Sequence, residues 1–516
     1  MNVGDWIRKR SIISPNKTAI IFEDQKITYR DLNHRVNRLA NALLKAGIKK
    51  GDRVAALLYN CPQFLEVYFA LAKIGAIFVT LNFRLAGREL HYMMENSGTG
   101  FLIFDAAFSE TIDSIRSSLP IATKNFVSLG EHKPRWAKDY EEFLNEGANT
   151  EPDIKEEVNL EDPQMIMYTS GTTGIPKGAL LPHRKTFYNT FNAVLYFDMT
   201  SKDVMLVVMP LFHSGGLNIA AVPTLYTGGT IVIQKSFDPK QTLFLIEKHR
   251  ITLAMLVPTM LNFMLKQANI DEYDLSSLKT MMVGGEPIPL SLIKAYMDRG
   301  IPIRQVFGQT ETSIQLWLSE EDAVRKIGSV GKPVFHADVR VVNKRGKDVA
   351  PGEVGEIILK GPIQMICYWN DPKQTAETIR DGWLYTGDLA TVDEEGFVYM
   401  VDRKKDMYIS GGENIYPAEI ERVLGEHPKI LEVAVIGVPD EKWGEVGKAL
   451  IVPKDGEKIS EEEVIEFLKG KLAKYKIPKY VEFTTEFPKT ASGKVKKAEL
   501  REKYGSKKVG ERIRSN

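Results

Sequence analysis

Eleven consecutive residues, Tyr168-Thr-Ser-Gly-Thr-Thr-Gly-Ile-Pro-Lys-Gly178, carry the densest chemical signal in the chain: three glycines, four hydroxyl side chains and one lysine. Such a run offers backbone N–H groups, short hydroxyl donors and a cation with little bulk in the way, which is what a polyphosphate requires. It is not a Walker loop, because Pro176 stands where the second glycine of G-x-x-x-x-G-K-[ST] falls and Gly178 replaces the final hydroxyl. No strand–G-x-G-x-x-G–helix fingerprint appears. A loop of this composition standing alone also reads as a surface turn, so its company matters. Downstream come Pro210-Leu-Phe-His213-Ser-Gly-Gly216, Gly284-Gly285-Glu286-Pro287, Phe307-Gly308-Gln309-Thr310-Glu311 and Trp383-Leu-Tyr-Thr-Gly387-Asp388. Asp402-Arg403-Lys-Lys405-Asp406, Gly411-Gly412-Glu413-Asn414 and Pro488-Lys-Thr-Ala-Ser-Gly493-Lys494 follow.

Short apolar strands alternating with amphipathic helices must hold these clusters. Thr28-x-x-Asp31 opens a helix whose Leu32, Val36, Leu39, Ala40 and Leu43 share one face, and Gly47 closes it. The run TAIIFED (18–24) ahead of that helix, strands around 54–58, 77–81 and 101–104 and helices through 62–74 and 90–94 make one alternation, predicting a parallel sheet covered on both faces. The rhythm returns at 204–210, 251–257 and 280–286, with helices 239–249, 258–268 and 289–299, predicting a second α/β layer. After about 335, turn-separated strands predict a small antiparallel meander. Beyond Arg403 a compact α+β unit follows: helices 417–425 and 460–474, strands 431–438, 448–453 and 480–485. The charged stretch 401–406 is the natural linker. The fold class is α/β: a large N-terminal lobe of two α/β layers plus a β-meander or barrel, then a small α+β C-terminal domain.

The chain has 516 residues, enough for two or three domains. With 43% apolar and 26% charged residues it is globular in composition, and 68 basic against 67 acidic side chains argue against a nucleic-acid-binding face. Two cysteines, Cys61 and Cys367, supply no disulfide framework or structural zinc site, so a reducing cytoplasm is expected. Neither a signal peptide nor an 18-residue apolar span is read. From Ser492 to Asn516 there are 9 basic and 3 acidic residues, read as a solvated tail that begins beside Lys494.

The eight ordered motifs resemble those of the adenylate-forming superfamily, which includes acyl-CoA synthetases, peptide-synthetase adenylation domains and beetle luciferases, over essentially the whole chain. The resemblance implies a carboxylic acid activated by ATP as an acyl-adenylate, with pyrophosphate released, then transferred to coenzyme A. It implies that Thr169, Ser170, Gly171, Thr172, Thr173, Gly174 and Lys177 hold the β- and γ-phosphates, and that Glu311, assisted by Thr169, holds Mg2+. Gly284, Gly285, Glu286 and Pro287 would flank the adenine and Phe307 would stack on it, with Gly308, Gln309 and Thr310 in the same nucleotide wall. Asp388 would grip the ribose hydroxyls, Arg403 would add a donor, and Lys494 would reach the α-phosphate and the acyl carboxylate. The N-terminal domain would span 1–402 and a mobile C-terminal domain 403–516. Rotation about a hinge near Lys405, where many relatives have Asp, would withdraw Lys494 and present Gly411 and Gly412 to the thiol.

His213 falls where the family gates its acyl pocket. The following Ser214–Val222 segment is small and apolar, with no acidic residue to neutralise an α-ammonium group, so a simple carboxylic acid is favoured over an amino acid. Gly215 and Gly216 would leave room for an acyl chain. The overall look is that of fatty-acyl-CoA ligases, making a fatty acid the leading reading. An aromatic-acid ligase (benzoate-, cinnamate- or succinylbenzoate-like) is the alternative, with carrier-protein loading or nucleotide sensing behind it. The implied partners are the acid, ATP and CoA, with no nucleic acid, in a monomer or homodimer. The stretch YFDMTSKD, with one Lys and two Asp, lacks the arginines of membrane-docking relatives, leaving at most weak membrane association.

Overall fold

Apolar strands too short to cover themselves need helices on both faces. In the structure, a computed structural model describing residues 2–169, 176–285, 288–410, 413–440, 442–469, 471–472, 474–490 and 493–505, they find them. The first sheet has eight strands in the order Cys367–Tyr368, Lys177–Pro182, Pro163–Thr169, Ile77–Thr80, Arg53–Leu57, Phe101–Asp105, Phe126–Leu129 and Lys138–Asp139. Helix Tyr29–Lys45 starts as its capping pattern predicts, the Thr28 hydroxyl accepting from the Asp31 amide at 3.1 Å. Its Leu32, Val36, Leu39, Ala40 and Leu43 are fully buried, and the helix packs on the apolar helix Pro62–Ile74.

The second sheet has fourteen strands. Its parallel part holds Thr18–Phe22, Thr230–Ile233, Val204–Val207, Leu253–Leu256, Thr280–Gly284 and Ile303–Gln309. Two expectations change here. Thr18–Phe22 does not join the first layer with its sequence neighbours; it pairs with Thr230–Ile233 across the molecule. Nor is the meander separate. Ser313–Leu318 runs back antiparallel on Ile303–Gln309 and then pairs with Ser329–Pro333, which pairs in turn with Val398–Arg403. One continuous sheet therefore carries the motifs that hold Gly284, Gln309, Asp388 and Arg403. Strand partners distant in sequence leave no mark on local periodicity, which is why neither connection is legible beforehand.

The small unit is a five-stranded sheet of Tyr408–Ser410, Glu413–Ile415, Ile430–Asp440, Gly444–Pro453 and Tyr480–Phe483, with helices Pro417–Leu424, Glu461–Leu468 and Lys497–Tyr504. The helix expected over 460–474 stops at Leu468, where Lys469 turns extended ahead of a glycine in the sequence. The basic run 506–516 lies outside the described residues. Among the described residues no helix is long and apolar enough to cross a membrane.

Candidate active site

Strands Pro163–Thr169 and Lys177–Pro182 form an antiparallel hairpin whose last pair is Thr169 opposite Lys177. The two ends of the glycine- and threonine-rich run, Thr169 and Lys177, are therefore held side by side in the first sheet. Ser170, Gly171, Thr172, Thr173 and Gly174 lie outside the described residues, as do Glu286, Pro287, Gly411 and Gly412. At the base of the hairpin the Thr169 hydroxyl donates to the Lys177 carbonyl at 3.5 Å. The Lys177 ammonium donates to Gln374 Oε1 and lies 5.7 Å from the centre of the Tyr368 ring.

Tyr368 links this hairpin to the second sheet. Its hydroxyl donates at 2.7 Å to Oε1 of Glu311, a carboxylate only 8% exposed. The Glu311 carbonyl accepts from the Met365 amide at 2.7 Å, so its backbone is pinned as well. The turn carrying Glu311 is tight. Ser313 sits at φ +59°, and a Cβ on Gly308 would collide with the Ser313 carbonyl, so only glycine closes the turn here. Phe307 is half-buried on the preceding strand, and Thr310 lies between Gln309 and Glu311. Gly284 ends its strand next to the Ile303–Gln309 strand, opposite Val306, and Gly285 follows at φ +88°.

Gln309 reaches across to Asp388, donating from Nε2 to Asp388 Oδ2 and, at 3.0 Å, to the Thr386 carbonyl. Asp388 and Arg403 are direct cross-strand partners, and Arg403 Nε lies 3.3 Å from Asp388 Oδ1. Burial pushes the Asp388 carboxyl above the ordinary aspartate range, while Arg403, Gln309 and Lys494 hold it down. Lys494 also acts on His213. Burial is the largest influence on that imidazole, and Lys494 and Arg84 lower it further, to about 4, so it is neutral at pH 7. The structure therefore gathers His213, Asp388, Arg403 and Lys494 into one electrostatic unit, with Glu311 also acting on Asp388. Lys405 sits on the exposed turn after Arg403, where the Asp406 amide donates to the Arg403 carbonyl at 2.8 Å.

On the acyl side Gly215–Ala221 is a π-helix, and a Cβ on Gly216 would stand 2.5 Å from the carbonyl oxygens of Met209 and Pro210, so glycine lets two backbones touch there. Sequence reasoning missed Tyr368, Gln374 and Lys185. Lys185 is buried, donates to Ser313 Oγ, and is pushed by burial to about 7, with Glu311 opposing that shift. Nothing in the spacing of these three residues marks them as belonging to the site; only the folded sheets bring them there.

Among the described residues no cluster of three or more His, Cys, Asp or Glu side chains could hold a metal by itself. A single carboxylate such as Glu311 fits Mg2+, which keeps waters and takes its other ligands from substrate phosphates. That ion neutralises polyphosphate charge when bound.

The AMP-binding enzyme family profile matches residues 9–369, and the AMP-binding enzyme C-terminal domain profile matches 419–494. A feruloyl-CoA synthase from Amycolatopsis sp is 43% identical over 504 residues, 98% of this chain and 99% of that protein. An indoleacetate–CoA ligase from Aromatoleum aromaticum is 41% identical over 97% of this chain and 98% of its own length. Among solved structures, o-succinylbenzoate CoA synthetase from Bacillus subtilis with its acyl-adenylate OSB-AMP superimposes with a TM-score of 0.87 at 34% identity, covering 98% and 99% of the two chains. A Mycobacterium tuberculosis fatty acyl CoA synthetase does so with a TM-score of 0.77 at 36% identity, covering 98% of each. The chain belongs to the AMP-binding enzyme family and is an ATP-dependent, AMP-forming acid–CoA ligase of the adenylate-forming superfamily.

Proposed function

We propose that this ligase activates an aromatic carboxylic acid and transfers it to coenzyme A. The reading is carried by one observation: relatives 43% and 41% identical over nearly the full chain are a feruloyl-CoA synthase and an indoleacetate–CoA ligase. This displaces the fatty-acid expectation, which rested on overall look and on the small residues Gly215 and Gly216. An aliphatic acid is the second reading, favoured by the likeness to the mycobacterial fatty acyl CoA synthetase.

In the first half-reaction the acid's carboxylate attacks the α-phosphorus of ATP and pyrophosphate leaves. Lys494 neutralises the two anions as they approach, and neutral His213 lends a hydrogen bond without repelling that lysine. Asp388, flanked by Gln309 and Arg403, accepts from the ribose hydroxyls. The loop following Thr169, together with Lys177, would hold the β- and γ-phosphates, and Glu311 would hold the Mg2+, which would neutralise their charge. In the second half-reaction, residues 403–516 would turn about Lys405 and withdraw Lys494, and the CoA thiol, its proton lost to water, attacks the acyl carbonyl so that the thioester forms as AMP leaves, with Gly411 and Gly412 on its approach.

The test is carboxylate-dependent ATP–pyrophosphate exchange followed by mass detection of the thioester with free CoA. Acids from C4 to C18, benzoate, 4-coumarate and indoleacetate are compared by kcat/KM. An aliphatic acid leading the panel would overturn the aromatic assignment.

A further inference from the structure

Strand Val398–Arg403 ends the large lobe, and neighbouring side chains on a strand point to opposite faces. Arg403 turns to Asp388, whose Oδ1 lies 3.3 Å from its Nε. Asp402 turns the other way, towards the small unit, and is buried. Its Oδ2 accepts from the Ala418 amide at 2.8 Å and its Oδ1 from the Arg403 amide at 2.6 Å. Ala418 lies in the first turn of helix Pro417–Leu424, whose own cap position, Tyr416, supplies no side-chain acceptor. The first amides of a helix have no partner within it, and a carboxylate beside them is favoured by the helix dipole. This helix takes its cap from a residue on the other side of Lys405.

The capped helix leads on to the lysine loop. Glu421, one turn along, has its Oε1 2.7 Å from the Lys497 ammonium, and Arg501 Nη2 lies 2.7 Å from Asp406 Oδ1. Lys497 and Arg501 both stand on helix Lys497–Tyr504, which begins directly after the segment carrying Lys494. That segment is folded back on itself. The Lys494 amide donates to Thr490 Oγ1 at 3.1 Å, and the Lys496 amide to the Pro488 carbonyl at 2.8 Å. Direct contacts therefore run from Asp402 through Ala418, Glu421 and Lys497 to the loop of Lys494.

We propose that Asp402 is a positioning residue for adenylate formation: by capping helix Pro417–Leu424 it holds the small unit, and Lys494 with it, in the adenylating arrangement. Asp402 stays with the large lobe and Ala418 travels with the small one, so the turn about Lys405 that withdraws Lys494 breaks this bond. A bond present in one of two arrangements biases their populations by its full worth. Losing a helix cap shifts such an equilibrium by roughly 2- to 30-fold.

This inference rests on the two-arrangement mechanism proposed above, and one experiment separates the two. Asp402→Ala and Lys494→Ala are compared with the parent in single turnovers of each half-reaction. The first is adenylate formation from ATP and 4-coumarate without CoA; the second is thioester formation from supplied 4-coumaroyl-adenylate and CoA. In Asp402→Ala the first rate should fall relative to the second by roughly 2- to 30-fold. A general loss of stability lowers both rates together and leaves their ratio alone. Asp402→Leu, which keeps bulk at the buried position and accepts nothing, carries the same expectation if the alanine variant fails to fold. A parent-like ratio, with Lys494→Ala lowering the first half-reaction alone, would overturn this inference and leave the mechanism standing. Equal losses in both half-reactions of Lys494→Ala would overturn the mechanism and this inference with it.

Discussion

Replacing Tyr368 by Phe removes one hydroxyl and tests how Glu311 is held. The Tyr368 Oη–Glu311 Oε1 contact is 2.7 Å and the carboxylate is 8% exposed, so it is a charge-assisted bond shielded from solvent. Bonds of this kind contribute about 1.5–3 kcal/mol. At about 1.4 kcal/mol per tenfold, that is roughly 10- to 150-fold in any equilibrium needing the carboxylate in this orientation. Groups that orient a metal ligand from behind change metal affinity by about 10–100-fold when lost, a range that overlaps the first. The phenyl ring of Phe keeps the face that Lys177 approaches at 5.7 Å, so the phosphate side is disturbed least. The assay is carboxylate-dependent ATP–pyrophosphate exchange across a Mg2+ titration. The half-saturating Mg2+ concentration should rise about 10–100-fold, with the plateau close to the parent's. A rate lowered equally at every Mg2+ concentration would refute the reasoning, because Tyr368 would then act on something other than Glu311's grip on the ion.

Lys494→Ala should lower adenylate formation by about 10²–10³-fold while largely sparing thioester formation from preformed acyl-adenylate, by the magnitude of losing one preorganised charge partner. Equal losses in both half-reactions, measured by single-turnover quench, would argue against a lysine that leaves between steps. His183, fully buried and accepting on Nδ1 from the Val3 amide at 3.4 Å, is held by burial down at about 3. Between that value and the unfolded value of about 6.5, only the unfolded chain binds this proton, so stability falls as pH drops through that window. Urea unfolding from pH 7 to 4 should show this slope, and His183→Gln should reduce it by about one proton; an unchanged slope would sink the assignment. Gly216→Ala should lose about 1–3 kcal/mol through collision with the Met209 and Pro210 carbonyls, read as a lowered Tm. An unchanged Tm with altered acyl preference would argue that Gly216 serves the acyl site instead.

The alternation of strand and helix was legible because burial on two faces writes itself into consecutive residues. What local pattern could not carry was pairing at long range: Thr18–Phe22 on Thr230–Ile233, or Ser329–Pro333 on Val398–Tyr399. The candidate site divides along the same line. Glu311, Asp388, Arg403, His213 and Lys494 stood out because ordered motifs resembling those of a known family carry them, and the fold couples Asp388 to Arg403, Lys494 and Glu311, and Lys494 to His213. Tyr368, Gln374 and Lys185 did not, since a tyrosine, a glutamine or a lysine outside a motif has no signature until a second sheet arrives beside it.

The same division explains why the reaction class was easier to read than the substrate. Every ligand of the adenylating step presents the same charged groups, so the residues facing them are constrained in type and in sequence position. The acid's remote end makes no such demand. An aromatic and an aliphatic acid present the same carboxylate to the same motifs and differ in apolar shape, which many combinations of apolar side chains can fit. Those side chains come from segments far apart in the chain, so substrate choice is a property of packing that composition and spacing do not encode.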